Sequence, residues 1–266
     1  MSVGYVEVGD GRLWYEEAGK GPSVLLLHAE AADSGMWDAQ WKDFSRRFHT
    51  IRVDLPGTGR SPYPDESWDP NEYIECLLDS LGVDRVAVVG VALGGTLAID
   101  FALECPDRSW ALVAASVAAY GQGDNLEDLR AAEVFTLLVA GRPARAADLF
   151  LDVWCPVRTS PELDARIRSM VHANISMLTQ IPNGRMTLAD WASPNRVDGI
   201  QVPTLVIWGD RDERAVQAGA QRLATRVRHA VAMVLPGVDH FVPMRAPEIF
   251  TTEVLGFLDG AASVKR

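Results

Sequence analysis

Short apolar runs alternate with helical patterns along the first third of the chain. The runs 23–29 and 85–91 are almost wholly apolar, which is typical of strands buried on both faces of a sheet. Between them, apolar residues recur at helical spacing over 36–48, and Asp69-Pro70 offers a cap and a first-turn proline for a helix. Alternating strands and helices predict an α/β fold with a mostly parallel sheet flanked by helices.

The remaining pattern predicts an eight-stranded sheet and an inserted block of helices. Further strands are expected at 3–8, 12–18, 50–54, 110–117, 204–208 and 230–235, and further helices at 215–227 and 244–258. Between the sixth and seventh strands the pattern is helical, at 126–139, 144–153, 162–179 and 186–192. We therefore predict a core of residues 1–119 and 196–266, with a helical cap at 120–195.

Composition and charge narrow the classes of partner. The 266 residues fit one large domain, and a formal charge of −11 disfavours nucleic acid and anionic membrane surfaces as partners. The three cysteines, Cys76, Cys105 and Cys155, lack the spacing of a disulfide framework or a zinc site. We expect a cytoplasmic protein, because no signal-peptide pattern or membrane-length apolar run is present. No motif calls for a metal or an organic cofactor, so we expect neither.

The junction after the 85–91 strand carries the most informative spacing. Gly90 and Gly94 bracket residue 92, two positions away on each side, and a helical pattern follows. This is the spacing of a nucleophile elbow, Gly-x-Ser-x-Gly, in which a tight strand-to-helix turn projects one side chain into a pocket. Here the central residue is Ala92, so the turn has no reactive oxygen.

With this elbow, the chain resembles the α/β-hydrolase superfamily over nearly its whole length. Four further segments are similar to family motifs: 27–30, 52–61, 202–212 and 236–240. The resemblance implies the α/β-hydrolase fold and a catalytic order of Ala92 at the nucleophile position, Asp212 as the acid and His240 as the base. The family's Gly-x-x-Asp pattern selects Asp212 over Asp210.

The same resemblance implies an oxyanion hole built from two backbone N–H groups. One belongs to Leu93, directly after the elbow residue, and the other is carried over onto Glu30. Glu30 is an unusual residue here, because a carboxylate turned inward would disfavour a developing oxyanion. We expect its side chain to turn outward into solvent.

Three interpretations of Ala92 are open. In the first, the working enzyme has serine here and hydrolyses carboxylic esters or lactones, so this chain is a Ser-to-Ala form. In the second, alanine is native, and His240 with Asp212 acts as a general base in elimination, isomerisation or decarboxylation, with Glu30 as a candidate second acid or base. In the third, the protein is a non-catalytic receptor for a small molecule.

We expect the partner to be a small, partly apolar molecule bound beneath the cap. Phe150 and Trp154 are candidate pocket residues, although their helical spacing suits the interior of the cap equally well. His28 is a third candidate for the substrate pocket. Its alternative role is structural, in fixing the conformation of the loop that contains it.

Overall fold

The computed structural model describes residues 1–117, 129–180, 184–186 and 196–263. Within these ranges the chain forms strands β1 (Ser2–Val8), β2 (Gly11–Ala18), β3 (Ser23–Leu27), β4 (His49–Asp54), β5 (Val86–Val91), β6 (Ser109–Ala115), β7 (Thr204–Gly209) and β8 (Val231–Leu235). The helices are α1 (Asp38–Ser45), α2 (Pro70–Ser80), α3 (Leu93–Glu104), α4 (Leu129–Val139), α5 (Pro143–Trp154), α6 (Pro161–Asn174), α7 (Arg214–Arg226), α8 (Val242–Arg245) and α9 (Pro247–Ser263).

The strands form one sheet, which confirms the predicted fold class. Its order is β1-β2-β4-β3-β5-β6-β7-β8; β2 pairs antiparallel with β1 and β4, and every pair from β4 to β8 is parallel. The carboxyl ends of β5, β6 and β7 therefore lie side by side at one edge. In an open parallel sheet this edge is where ligands bind.

Helices cover both faces of the sheet. Residues 25–27 are wholly buried, and their side chains point alternately into the two apolar clusters, one on each face. This explains why β3 has a continuous apolar run instead of an alternating one. α1 and α9 pack on one face and α2, α3 and α7 on the other.

α4, α5 and α6 lie between β6 and β7 in the chain, where the cap was predicted, and they pack on one another. The boundary predicted at 119/120, residues 126–128 and most of the helix predicted at 186–192 lie outside the described residues. The helix predicted at 162–179 ends at Asn174 and continues as a 3-10 helix to Thr179. The helix predicted at 244–258 is divided into α8 and α9, because Pro247 begins a new first turn.

Candidate active site

The junction of β5 and α3 is a sharp turn at Ala92. Ala92 has φ 50° and ψ −116°, a conformation that costs a residue with a side chain on the order of 1–3 kcal/mol. The bracketing glycines permit it: a Cβ on Gly90 would lie 2.1 Å from the carbonyl oxygen of Gly94, and one on Gly94 would lie 2.3 Å from the carbonyl oxygen of Leu27. The turn therefore has the geometry of a nucleophile elbow with a methyl group at its apex.

Asp212 and His240 lie against each other near the same edge of the sheet. Asp212 is in the turn after β7 and His240 is in the loop after β8. The imidazole Nδ1 is 2.9 and 3.0 Å from the two carboxylate oxygens of Asp212, and both side chains are buried. The Glu213 N–H donates to the same carboxylate at 2.8 Å, which fixes its orientation.

The other ring nitrogen of His240 is available for chemistry. Nε2 is buried and has no hydrogen-bond partner among the residues the structure describes. Burial alone would lower the pKa of His240, but the charge and hydrogen bond of Asp212, with the charges of Glu30 and Asp239, raise it to about 9. At neutral pH the ring therefore carries a proton on Nε2, and that proton is the one the site can transfer.

The carboxylate of Glu30 turns into the site, so the predicted outward orientation is wrong. Its Oε2 accepts a hydrogen bond of 3.1 Å from the Leu93 N–H, the group predicted to hold an oxyanion. The reason is local: Leu93 is the first residue of α3, Ala92 provides no side-chain cap, and a free N–H at a helix amino end attracts an anion.

A family model described as "Alpha/beta hydrolase family" matches residues 24–253, a range that includes all of these positions. The chain belongs to the alpha/beta hydrolase family.

The relatives of this α/β hydrolase are themselves hydrolases. It is 28% identical to the 2-(acetamidomethylene)succinate hydrolase of Mesorhizobium japonicum over 96% of this chain and 94% of that protein. It is 23% identical to carboxylesterase YbfK of Bacillus subtilis over 90% of this chain and 81% of that protein. Among solved structures, the enol-lactonase of Burkholderia xenovorans LB400 superposes with a TM-score of 0.81 at 25% identity, covering 96% of this chain and all of that one.

Both ring nitrogens of His28 form hydrogen bonds with backbone groups. Its Nε2 accepts from the Leu55 N–H at 2.9 Å, and its Nδ1–H donates to the Ala29 carbonyl at 2.7 Å. The ring is fully buried, and this burial lowers its pKa, so His28 is neutral. His28 as a substrate contact stays a prediction; its observed contacts join the end of β3 to the loop after β4.

The two cap aromatics lie beside the loop that carries His240. Phe150 is wholly buried, with its ring centroid 4.7 Å from that of Trp154 and 6.4 Å from that of Phe241. The Trp154 carbonyl accepts a hydrogen bond from the His240 N–H at 3.1 Å. The end of α5 thus meets the loop that carries His240, and Trp154 is only partly buried, whereas Phe150 is wholly buried.

A buried ion-pair cluster that was not predicted from the sequence lies next to His240. The Asp239 carboxylate accepts from the Arg245 Nε at 3.2 Å and from the Val157 N–H of the cap at 3.1 Å. Arg245 also donates to Asp164 and Thr159, both in the cap. An arginine inside the apolar stretch 241–246 was the available signal, because a buried charge requires a partner.

The described part of the chain contains neither a metal-ligand cluster nor a helix able to span a membrane. No cluster of three or more His, Cys, Asp or Glu side chains there could ligate a metal ion. No helix within those residues combines the length and apolar character needed to span a bilayer.

Proposed function

We propose that this chain hydrolyses carboxylic ester or lactone bonds of a small, partly apolar substrate by acid–base catalysis, without an acyl-enzyme intermediate. The observation that carries the proposal is the buried His240–Asp212 pair, whose free Nε2 lies among charged groups that also include Glu30. The names of the relatives support the reaction class, since they describe hydrolases that include a carboxylesterase and an enol-lactonase.

The alanine at the elbow excludes covalent catalysis from that position. A methyl group cannot attack a carbonyl carbon, so water must attack it directly. In this mechanism Asp212 fixes the ring through Nδ1, and Nε2 of His240 exchanges a proton with the reacting oxygens. Without a nucleophile at residue 92 the rate depends on acid–base catalysis, so we expect slow turnover.

Partly apolar substrates are favoured by the surroundings of the pair. Phe241 follows His240 in the chain, and Phe150 and Trp154 pack beside it from the cap. An apolar surface with few polar groups is typical of small-molecule sites. We expect substrates with an apolar acyl or alcohol portion to be preferred over strongly polar ones.

The test is a panel of p-nitrophenyl esters and lactones assayed with the chain as it stands. We expect steady turnover without a burst of p-nitrophenol, and a product that has gained one water by mass. His240→Ala should abolish the activity, whereas His172→Ala, at a cap histidine paired with the exposed Asp148, should leave it unchanged.

Other outcomes would support the competing interpretations. Activity that appears only in Ala92→Ser, and rises by several orders of magnitude, would support a serine enzyme whose nucleophile is missing here. A His240-dependent reaction without gain of water would indicate a lyase or isomerase. Ligand binding unaffected by His240→Ala, with no turnover, would indicate a receptor.

A further inference from the structure

The carboxylate of Glu30 occupies the donor that acyl-transfer chemistry needs. In that chemistry the N–H after the elbow stabilises the oxyanion of the tetrahedral intermediate. Here the Leu93 N–H already donates to Glu30 Oε2 at 3.1 Å. A second anion at the same N–H would be repelled by the first, so this donor is not free to stabilise an oxyanion while Glu30 holds it.

Glu30 acts electrostatically on His240 and on Cys155. Asp212 has the larger effect in raising the pKa of His240, and the charge of Glu30 raises it further. Burial raises the pKa of the Cys155 thiol, directly after α5, and the charge of Glu30 adds to that increase. The residue is half-buried, so one side of it remains accessible. Glu30 therefore lies within electrostatic range of His240 and of the cap.

The second carboxylate oxygen of Glu30, Oε1, accepts no hydrogen bond from the described residues. The first, Oε2, accepts the hydrogen bond from the Leu93 N–H. The nucleophile expected at position 92 is absent, because alanine has no hydroxyl. Compared with the elbow of a serine hydrolase, this site lacks the oxygen at residue 92 and has a carboxylate hydrogen-bonded to the next residue.

We propose that Glu30 is the base that activates water in this site, and that His240 in its imidazolium form is the acid that protonates the leaving oxygen. The proposal rests on the hydrolytic function proposed above. Water bonds to the carbonyl carbon as one of its protons passes to Glu30, and the π electron pair of the carbonyl moves onto the carbonyl oxygen. That pair then re-forms the carbonyl double bond as the bond to the leaving oxygen breaks. The electron pair of the broken bond stays on the leaving oxygen, and the Nε2 proton of His240 is transferred to it.

The proton balance closes without any further reagent. One water is consumed, an acid and an alcohol are released, and a ring-opened hydroxy acid is the single product from a lactone. Glu30 is left protonated and His240 neutral. Transfer of the proton from Glu30 to His240, directly or through solvent, restores the starting state.

The competing explanation is that Glu30 only caps α3. Glu30→Gln separates the two roles, because an amide oxygen still accepts from the Leu93 N–H but cannot take a proton from water. We expect Glu30→Gln to fold with an unchanged melting temperature and to lose 10²–10⁴-fold in kcat, the usual range for a general base. Asp69→Asn is the matched control: it changes the carboxylate that caps α2 and should leave kcat unchanged.

The pH profile supplies a readout that a capping role would not move. The parent should lose activity in alkali as His240 loses its proton. An acid limb that depends on residue 30 should disappear in Glu30→Gln. The charged groups that act on His240 are Asp212, Glu30 and Asp239, so Asp239→Asn tests whether the acid limb belongs to Asp239 instead.

A labelling experiment tests the position of Glu30 without any substrate. In Ala92→Ser, a fluorophosphonate probe can label the new hydroxyl only if the oxyanion donors are free. We expect Ala92→Ser/Glu30→Gly to be labelled at least 10²-fold faster than Ala92→Ser, the usual effect of one oxyanion donor. Equal labelling rates would overturn the inference.

The hydrolysis assays separate the two proposals. Full activity in Glu30→Gln with none in His240→Ala would overturn the role of Glu30 and leave the proposed function intact. Absence of hydrolysis in the parent across the whole panel would overturn the proposed function, and with it the role of Glu30 as base.

Discussion

Arg245→Met tests whether the buried ion-pair cluster holds α6 and the segment before it to the loop that carries His240. The Arg245 side chain is 2% exposed, and its partner Asp239 is fully buried. Methionine keeps most of the apolar stem and removes the charge. Among the residues that the structure describes, Asp239 would then retain hydrogen bonds only from the backbone N–H groups of Val157 and Phe241.

The expected loss of stability is large because an uncompensated charge remains buried. Removing one partner of a buried ion pair costs about 3–5 kcal/mol. Burial already raises the pKa of Asp239, against the opposing effect of Arg245. Without the arginine the carboxyl should take up a proton more readily, which makes the loss smallest at low pH.

The measurement is urea unfolding at neutral pH, followed by circular dichroism. Arg166→Met is the matched control: this arginine also joins cap to core, through Gly35 and Asp38, but its side chain is 44% exposed. A half-exposed ion pair is worth about 0–1 kcal/mol, so the control should lose little. Arg245→Met/Asp239→Asn should be more stable than Arg245→Met alone, because the double variant leaves no unpaired charge on residue 239.

Two results would refute this reasoning. A loss below about 1 kcal/mol in Arg245→Met would mean that the cluster contributes little to stability. Strictly additive losses in the double variant would mean that Asp239 and Arg245 do not interact.

The remaining predictions concern His240 and the elbow. Because the pKa of His240 is raised from 6.5 to about 9 on folding, its contribution of about 3 kcal/mol is fully present below pH 6.5 and is lost as pH rises through 9. Urea titrations at pH 6 and pH 10 should show this fall, and Asp212→Asn should flatten it. Gly94→Ala should prevent correct folding, because the new Cβ would meet the Leu27 carbonyl at 2.3 Å. Gly256→Ala on α9, where a Cβ meets nothing within 4 Å, should instead keep or raise the melting temperature.

Local signals in the sequence were sufficient for the elements of the fold and for the elbow. Asp69 caps α2 and Pro70 is in its first turn, as predicted, because both effects depend on residues a few positions apart. Gly90 and Gly94 predicted the turn at Ala92 for the same reason. The chain order of residue 92, Asp212 and His240 came from the family resemblance, and the structure brings Asp212 and His240 into contact.

The tertiary structure alone decided where charged side chains point and with which groups they pair. The Glu30–Leu93 and Val157–Asp239 contacts join residues 63 and 82 positions apart. The spacing of residues in the sequence does not predict such a contact. Each contact forms because the packing of distant elements brings a free N–H group close to a charged side chain. Glu30 was expected in solvent because its own segment gives no sign of a partner, and the free amide at the start of α3 provided one. Sequence therefore determined the elements and their order, whereas packing determined the electrostatics of the site.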